Sequence, residues 1–402
     1  SMRLIGSGNW QGLDISLGLL LSVVRLGHRR KKGNSKMNAK SMSDTLFESG
    51  LFRALLVALC CQAISFFLFA PALWMPPPGR FVDQYEPLTY QPFSREMIGE
   101  AQTRHRILGP VIAKGLGLHG LPSALVPVFG GTVMLICVYL LCVSHIDPQW
   151  AFSTTLLVAT TQALISSQTW LGYQDALGGA FIAGCLLSRN AWFAGLLLFL
   201  GMLAEERCAV GVPFVILWQC ALHTERSRSI AVRWSLALGL AMLAWAVYFY
   251  FAIHTFVPAE VREAYDAEKV GTTWRLIFKN LNNLALGYFQ SIRGGWILVG
   301  YAAYLLIRRR GWLTLSLVGS CIILGLLQAG FVADISRSAS NLWPVMLLAI
   351  WEMRRSNLTD ALVILRTSLF LNILSPCYQV LGNVVQYYYP LPISLLRLIY
   401  RI

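Results

Sequence analysis

The sequence predicts an all-α fold: a polytopic transmembrane bundle of about ten spans, with broken short helices and with surface helices on its outer face. Three observations predict it. Hydrophobic residues make up 56% of the 402 positions and charged residues 13%, with a mean hydropathy of +0.57. A soluble chain carries roughly twice that share of charge. Apolar runs of spanning length recur along the chain, so the bilayer is the solvent. The basic residues gather between those runs, where they orient spans and meet anionic lipid. The net charge of +14 therefore does not point to nucleic acid. No basic stripe with interleaved aromatics marks a nucleic-acid partner.

The elements follow in order. Residues 1–45 read as a cytoplasmic extension, with Ser1-Met2 a tag remnant or a misplaced start. Residues 46–402 read as one transmembrane domain. Leu51–Trp74 is the first clear span, and residues 75–122 are then a long outer loop. Inside that loop, Ile107–Leu118 reads as a short apolar helix at the membrane surface. Ser123–Val143 returns inward to a tight turn at His145-Ile-Asp-Pro-Gln149. Ala151–Ile165 goes out, Ser166–Gln174 is a polar outer turn, and Asp175–Leu187 comes back.

Ala191–Leu222 is too long for one upright span, and basic segments flank both of its ends. It must turn round, at Ala204-Glu205-Glu206-Arg207. Each limb is then shorter than the ~20 residues that a crossing needs, which suggests broken helices around a polar cavity. Ile230–Val257 goes out, and residues 258–292 form a second long outer segment. Trp296–Ile307, Trp312–Val332, Leu342–Trp351 and Leu362–Ile373 alternate thereafter. The tail, with Tyr387-Tyr388-Tyr389, reads as an interfacial aromatic belt. The nine cysteines show no C-x-x-C or Cys/His ligand spacing and read as small apolar residues.

This topology puts Asp83, Glu86, Asp175, Glu205, Glu206, Asp334 and Arg337 on one side. Acids at membrane depth are costly and mark function. Asp83 or Glu86 can serve as a general base on a hydroxyl, or hold a divalent ion; the plainer reading is a solvated loop. Arg104, His105 and Arg106 precede an apolar helix, and paired guanidiniums there suit a phosphate headgroup as well as plain anchoring. Asp175 either faces the site or caps the helix that it opens. Glu205-Glu206-Arg207 is the strongest single signal; an internal Glu–Arg pair would still leave one carboxylate over. Asp334 and Arg337 form either a surface pair or a second phosphate contact.

In these residues the chain resembles the GT-C superfamily of membrane glycosyltransferases, whose members are polytopic helical enzymes using a polyprenyl-phosphate sugar carrier on the outer face. They carry an acidic motif in a long first outer loop, followed by surface helices. Asp83 and Glu86 match by position in that loop, and Arg104-His105-Arg106 fits the basic helix after it. The resemblance covers most of residues 46–390 and is one of architecture. It departs at the acidic motif: an adjacent acidic pair or D-x-D is here Asp83-Gln-Tyr-Glu86, so metal dependence does not carry over. The resemblance implies an inverting transfer in the bacterial cytoplasmic membrane, with the site facing outward. Asp83 would be the base and Glu205 or Glu206 a second acid. Arg104, Arg106 and Arg337 would hold the donor phosphate. An ion-coupled transporter and a surface-polysaccharide polymerase or ligase are the alternative readings.

Overall fold

The computed structural model describes residues 39–69, 81–93, 105–257, 280–356, 360–382 and 384–400, together with positions 259 and 278. Arg104 and most of the expected outer segment 258–292 lie outside the described residues, as do the side chain of Asp83 and nearly all of the 1–45 extension. The chain is mostly helical. Four helical stretches are long and apolar enough to cross a membrane: Gly50–Leu68, Leu121–Ile146, Thr224–Phe256 and Trp312–Gly330. The second is the central one, with 67% of its span buried against 22%, 28% and 17% for the others. The expected spans Asp175–Leu187, Trp296–Ile307 and Leu362–Ile373, and the expected short limb from Ala191, are the shorter apolar helices Asp175–Leu187, Gly295–Arg308, Ala361–Leu374 and Ala191–Ala204.

Helix α1 (Ala39–Leu68) packs on α4 (Leu125–Leu141), and α4 packs on α7 (Asp175–Leu187). The α4–α7 approach is close because Gly130 faces the α7 backbone; a Cβ there would stand 2.7 Å from Leu177 Cα. Helix α8 (Ala191–Ala204) follows α7 across the turn 188–190, and Asn190 caps it by accepting from Trp192 N at 3.0 Å. Both helices are of similar length, so the start of α7 and the end of α8 come level. The chain breaks at Glu205 (φ −151°, ψ 107°), makes a 3-10 turn over Glu206–Gly211, and restarts as α9 (Val212–Leu222) with Pro213 in its first turn. The two short limbs expected from length and charge are therefore present.

Helix α10 (Ser227–Phe256) lies along α8 and α9. Then come α11 (Leu284–Ile292), α12 (Gly295–Arg308), α13 (Trp312–Gly330), α14 (Ile335–Ala339), α15 (Pro344–Arg355), α16 (Ala361–Leu374) and α17 (Leu391–Tyr400). Among the described residues one large apolar cluster runs through α1, α4, α5, α7 to α10, α12, α15 and α16.

Three expectations are corrected. Ala151–Ile165 is not one span: it splits into α5 (Pro148–Ala159) and α6 (Gln162–Thr169). At the break, the Thr160 and Thr161 hydroxyls donate to Leu157 O (2.9 Å) and Val158 O (2.7 Å), competing with the helical backbone bonds. Nor is all of Ser166–Gln174 an open polar turn: the chain turns only over 170–174, and 166–169 complete α6, every residue of which is buried. Its hydroxyls donate within the helix, Thr169 to Ile165 O at 2.8 Å and Ser166 to Gln162 O, so a polar run tolerates burial. Finally, the fold is not wholly α. Cys377–Leu381 (β1) and Val384–Tyr388 (β2) pair antiparallel, with Cys377 opposite Tyr388. The Gly-Asn dipeptide at 382–383 between β-branched and aromatic runs is a hairpin signal, and it outweighs the aromatic-belt reading.

Candidate active site

Four separated segments meet at the level where α7 begins and α8 ends. The first is the irregular approach to α3 (Leu108–Gly115), which carries His105 and Arg106. The others are Asp175 at the start of α7, Glu205-Glu206-Arg207 at the α8–α9 break, and α14, which carries Arg337 and Ser338 behind Asp334. The sequence brings Asp175 and Glu205 together through the matched lengths of α7 and α8. The break at Glu205 then aims two carboxylates and a guanidinium inward instead of along a helix face.

The charges interlock. Arg106 donates to Glu206 with both Nε (2.7 Å) and Nη2, and its Nη1 lies 3.1 Å from Glu205 Oε2. Arg207 donates through Nε to Glu205, lies 3.6 Å from Asp175 Oδ1, and donates to Ser338 Oγ at 2.8 Å. Arg337 lies 3.2 Å from Asp175 Oδ1 and 3.3 Å from Asp334 Oδ2, with its guanidinium carbon 4.0 Å above the Tyr173 ring. His105 Nε2 stands 2.9 Å from Glu206 Oε2, and its ring is packed edge-on against Phe249 and Trp245 of α10. Three guanidiniums thus face four carboxylates. Removing a guanidinium would leave the buried carboxylates in larger excess.

Exposure is uneven. The side chains of Asp175 and Glu205 are 1% exposed and that of Glu206 27%. Glu206 is the open edge and Asp175 the floor. Both Asp175 oxygens lack a well-aligned hydrogen bond, as do Arg207 Nη2 and the Nε and Nη1 of Arg337. The cluster is held there by charge at ion-pair distance.

Two neighbours fix its walls. The Gln174 side chain accepts from Gly109 N at 2.9 Å and donates to Arg106 O at 3.0 Å, pinning the backbone from Arg106 to Gly109. The first acidic loop packs alongside: a π-helical turn over Phe81–Tyr85 runs into α2 (Glu86–Tyr90). Tyr85 donates to Ser123 O at 3.2 Å and lies against Gly172, whose φ of +84° and missing Cβ allow that contact. Asp83 sits on this turn, so its backbone is beside the segment that leads into Asp175. Glu86 is half-buried and faces Gly120 rather than the cluster.

The structure brings together His105, Arg106, Asp175, Glu205, Glu206, Asp334 and Arg337 of the expected residues. It adds Arg207, which sequence reasoning noted only as a partner for a neighbouring glutamate. It also adds a relay from the hairpin: Trp170 Nε1 donates to Tyr388 OH (3.1 Å), Tyr388 OH to Gln379 Oε1 (3.0 Å), and Gln379 Nε2 to Asp334 Oδ2 (2.8 Å). Nothing in the local spacing of Gln379 or Tyr388 signals this role. Among the described residues no three His, Cys, Asp or Glu side chains converge as a metal site, because the four carboxylates are turned to arginines. Glu205, clamped between Arg106 and Arg207, is a counter-ion here. Compared with known proteins, the chain matches no family model, no curated protein and no solved structure.

Proposed function

We propose that the protein is a membrane glycosyltransferase that moves a sugar from a polyprenyl-phosphate carrier to an acceptor hydroxyl on the outer side. One observation carries this reading. The turn that holds Asp83 packs through Tyr85 against Gly172, on the segment that leads into Asp175 of the arginine–carboxylate cluster, which would put a base and phosphate-binding cations at one end of the bundle. In this scheme Asp83 removes the acceptor proton, while Arg106 and Arg337 face the departing phosphate, which fixed cations stabilise. Glu205 and Asp175 hold the arginines in place. The short helices would complete about ten crossings in pairs. The basic inner turns would face the cytoplasm of a bacterial membrane.

The test is turnover of a polyprenyl-phosphate sugar by the purified chain. Asp83→Asn keeps the shape and removes the proton acceptor, so it should lower the rate by about 100- to 10,000-fold with donor binding intact. Near-parental turnover in that variant would remove Asp83 from the reaction.

The paired breaks at Thr160–Thr161 and Glu205 favour a second reading, an ion-coupled transporter, since discontinuous helices flanking buried charge also build transport sites. Solute flux into proteoliposomes without any transfer product would select it.

A further inference from the structure

Glu206 is the exposed member of the cluster, yet it is the best bound. Its Oε2 accepts from Arg106 Nε at 2.7 Å and lies 2.9 Å from His105 Nε2, and its Oε1 accepts from Arg106 Nη2. A carboxylate only accepts, so His105 Nε2 carries the proton in this contact. Three donors therefore converge on one oxyanion from behind, with the donors buried and the acceptor facing out. The His105 and Arg106 side chains are 4% and 13% exposed against 27% for Glu206. A forked guanidinium with one further donor is also the arrangement that takes a phosphoryl group.

Glu206 is unlike the other three carboxylates of the cluster. Glu205 and Asp175 are each shared by two or more arginines at depth. Asp334 is fixed by the hairpin through Gln379 and caps α14. Among the described residues Glu206 is held by His105 and Arg106 alone, and it sits on the 3-10 turn just past the α8 break. Removing its charge leaves Arg106 still paired with Glu205 at 3.1 Å. It also turns four carboxylates against three guanidiniums into an even count.

We propose that Glu206 is a built-in competitor: its carboxylate occupies the phosphoryl-oxyanion site formed by Arg106 and His105, and a phosphate ligand binds by displacing it. The proposal rests on the phosphate-donor reading above and adds a self-capping device to it. The cap shields the buried donors while no substrate is present, and lowers affinity by the cost of its displacement. A ligand with a higher charge on its oxygens than a carboxylate displaces it best.

The experiment measures binding of two probes to the full chain in detergent by titration calorimetry: inorganic phosphate and a ten-carbon prenyl monophosphate. Glu206→Gln keeps the side-chain shape and removes the competing charge, and should tighten binding by about tenfold or more. Adding Arg106→Gln or His105→Gln should abolish that gain. A gain with both probes identifies the phosphoryl group as the ligand, and a gain confined to the prenyl probe identifies a lipid headgroup. Unchanged or weaker binding in a Glu206→Gln protein that elutes and melts like the parent would overturn the proposal. If Glu206→Gln fails to fold, Glu206→Asp replaces it, since its shorter carboxylate withdraws from Arg106 and should also tighten binding; no gain there is equally fatal. Binding by neither the parent nor any variant would sink the phosphate reading itself. Tighter Glu206→Gln binding without turnover would keep the cap and remove the transferase.

Discussion

Two regions of the molecule bury arginine, and they do so by different means. In the cluster, Arg106, Arg207 and Arg337 are neutralised by carboxylates. Elsewhere in the bundle, Arg293 is fully buried with no carboxylate paired to it among the described residues. Its Nη1 donates to Thr160 O at 3.2 Å, its Nη2 donates to Ser375 O, and its guanidinium carbon lies 4.8 Å from the Phe69 ring centroid. Thr160 and Ser375 end α5 and α16. Each helix C-terminus presents unpaired carbonyls worth about half a negative charge, so two of them offset one cation. The nearby Cys377 contributes no charge: burial pushes its thiol up to about 11, with Arg293 pulling the other way. Carbonyls are fixed by the backbone, whereas carboxylates ride on side chains that can exchange partners. The Arg293 region is a bolt, and the cluster is a site whose pairings can change.

Mutation should separate the two. The largest effect is expected from Arg207→Met, which leaves the four carboxylates of the cluster against two guanidiniums, Arg106 and Arg337, and should cost about 3–5 kcal/mol in reversible unfolding from mixed micelles. Arg293→Met removes a cation that has no carboxylate to strand, so it should cost less, about 1.5–3 kcal/mol for lost charge-assisted bonds. If Arg293→Met proved the worse of the two, the proposed contrast would collapse. Gly294→Ala sharpens the point from the backbone side. Its Cβ would stand 2.2 Å from Ser368 O, on a helix that cannot easily yield, and a loss of roughly 1–3 kcal/mol is expected with anion binding unchanged. The smallest effect belongs to the half-exposed pair Arg309–Glu352, 3.0 Å apart at the opposite end of the bundle. Arg309→Ala should shift stability by at most about 1 kcal/mol, and a larger shift would mean that surface pairs matter here more than their exposure allows.

The sequence made some of this legible and hid the rest, for physical reasons. The break at Glu205 was readable because adjacent charges inside a run too long for one crossing leave few options. The bounds of α7 and α8 followed from polar turns that cannot lie in lipid, and their matched lengths put Asp175 level with Glu205. The burial of α6 was not readable, since a run of Ser, Thr and Gln looks solvated until its hydroxyls are seen to bond within their own helix. Arg207 was visible only as a neighbour of two glutamates, because its reach to Asp175 and Ser338 depends on where α7 and α14 end up. The hairpin had its turn signal at 382–383, but its bonds to the site join residues that no local pattern connects.

Those bonds have a consequence for how the chain is made. Gln162 reaches Tyr378 across 216 positions, Trp170 reaches Tyr388 across 218, and Asn372 reaches Thr160 across 212. The segments they join are synthesised far apart in time, and loop closure over such separations is slow. Until the hairpin emerges, Gln162 and Asp334 lack partners that they have in the finished protein. The α5–α6 break likewise waits for α16. The interior of this bundle is completed from its C-terminal end, so a nascent chain halted before Cys377 would carry its spans without the closure that joins them, and quality control could recognise it by that open seam.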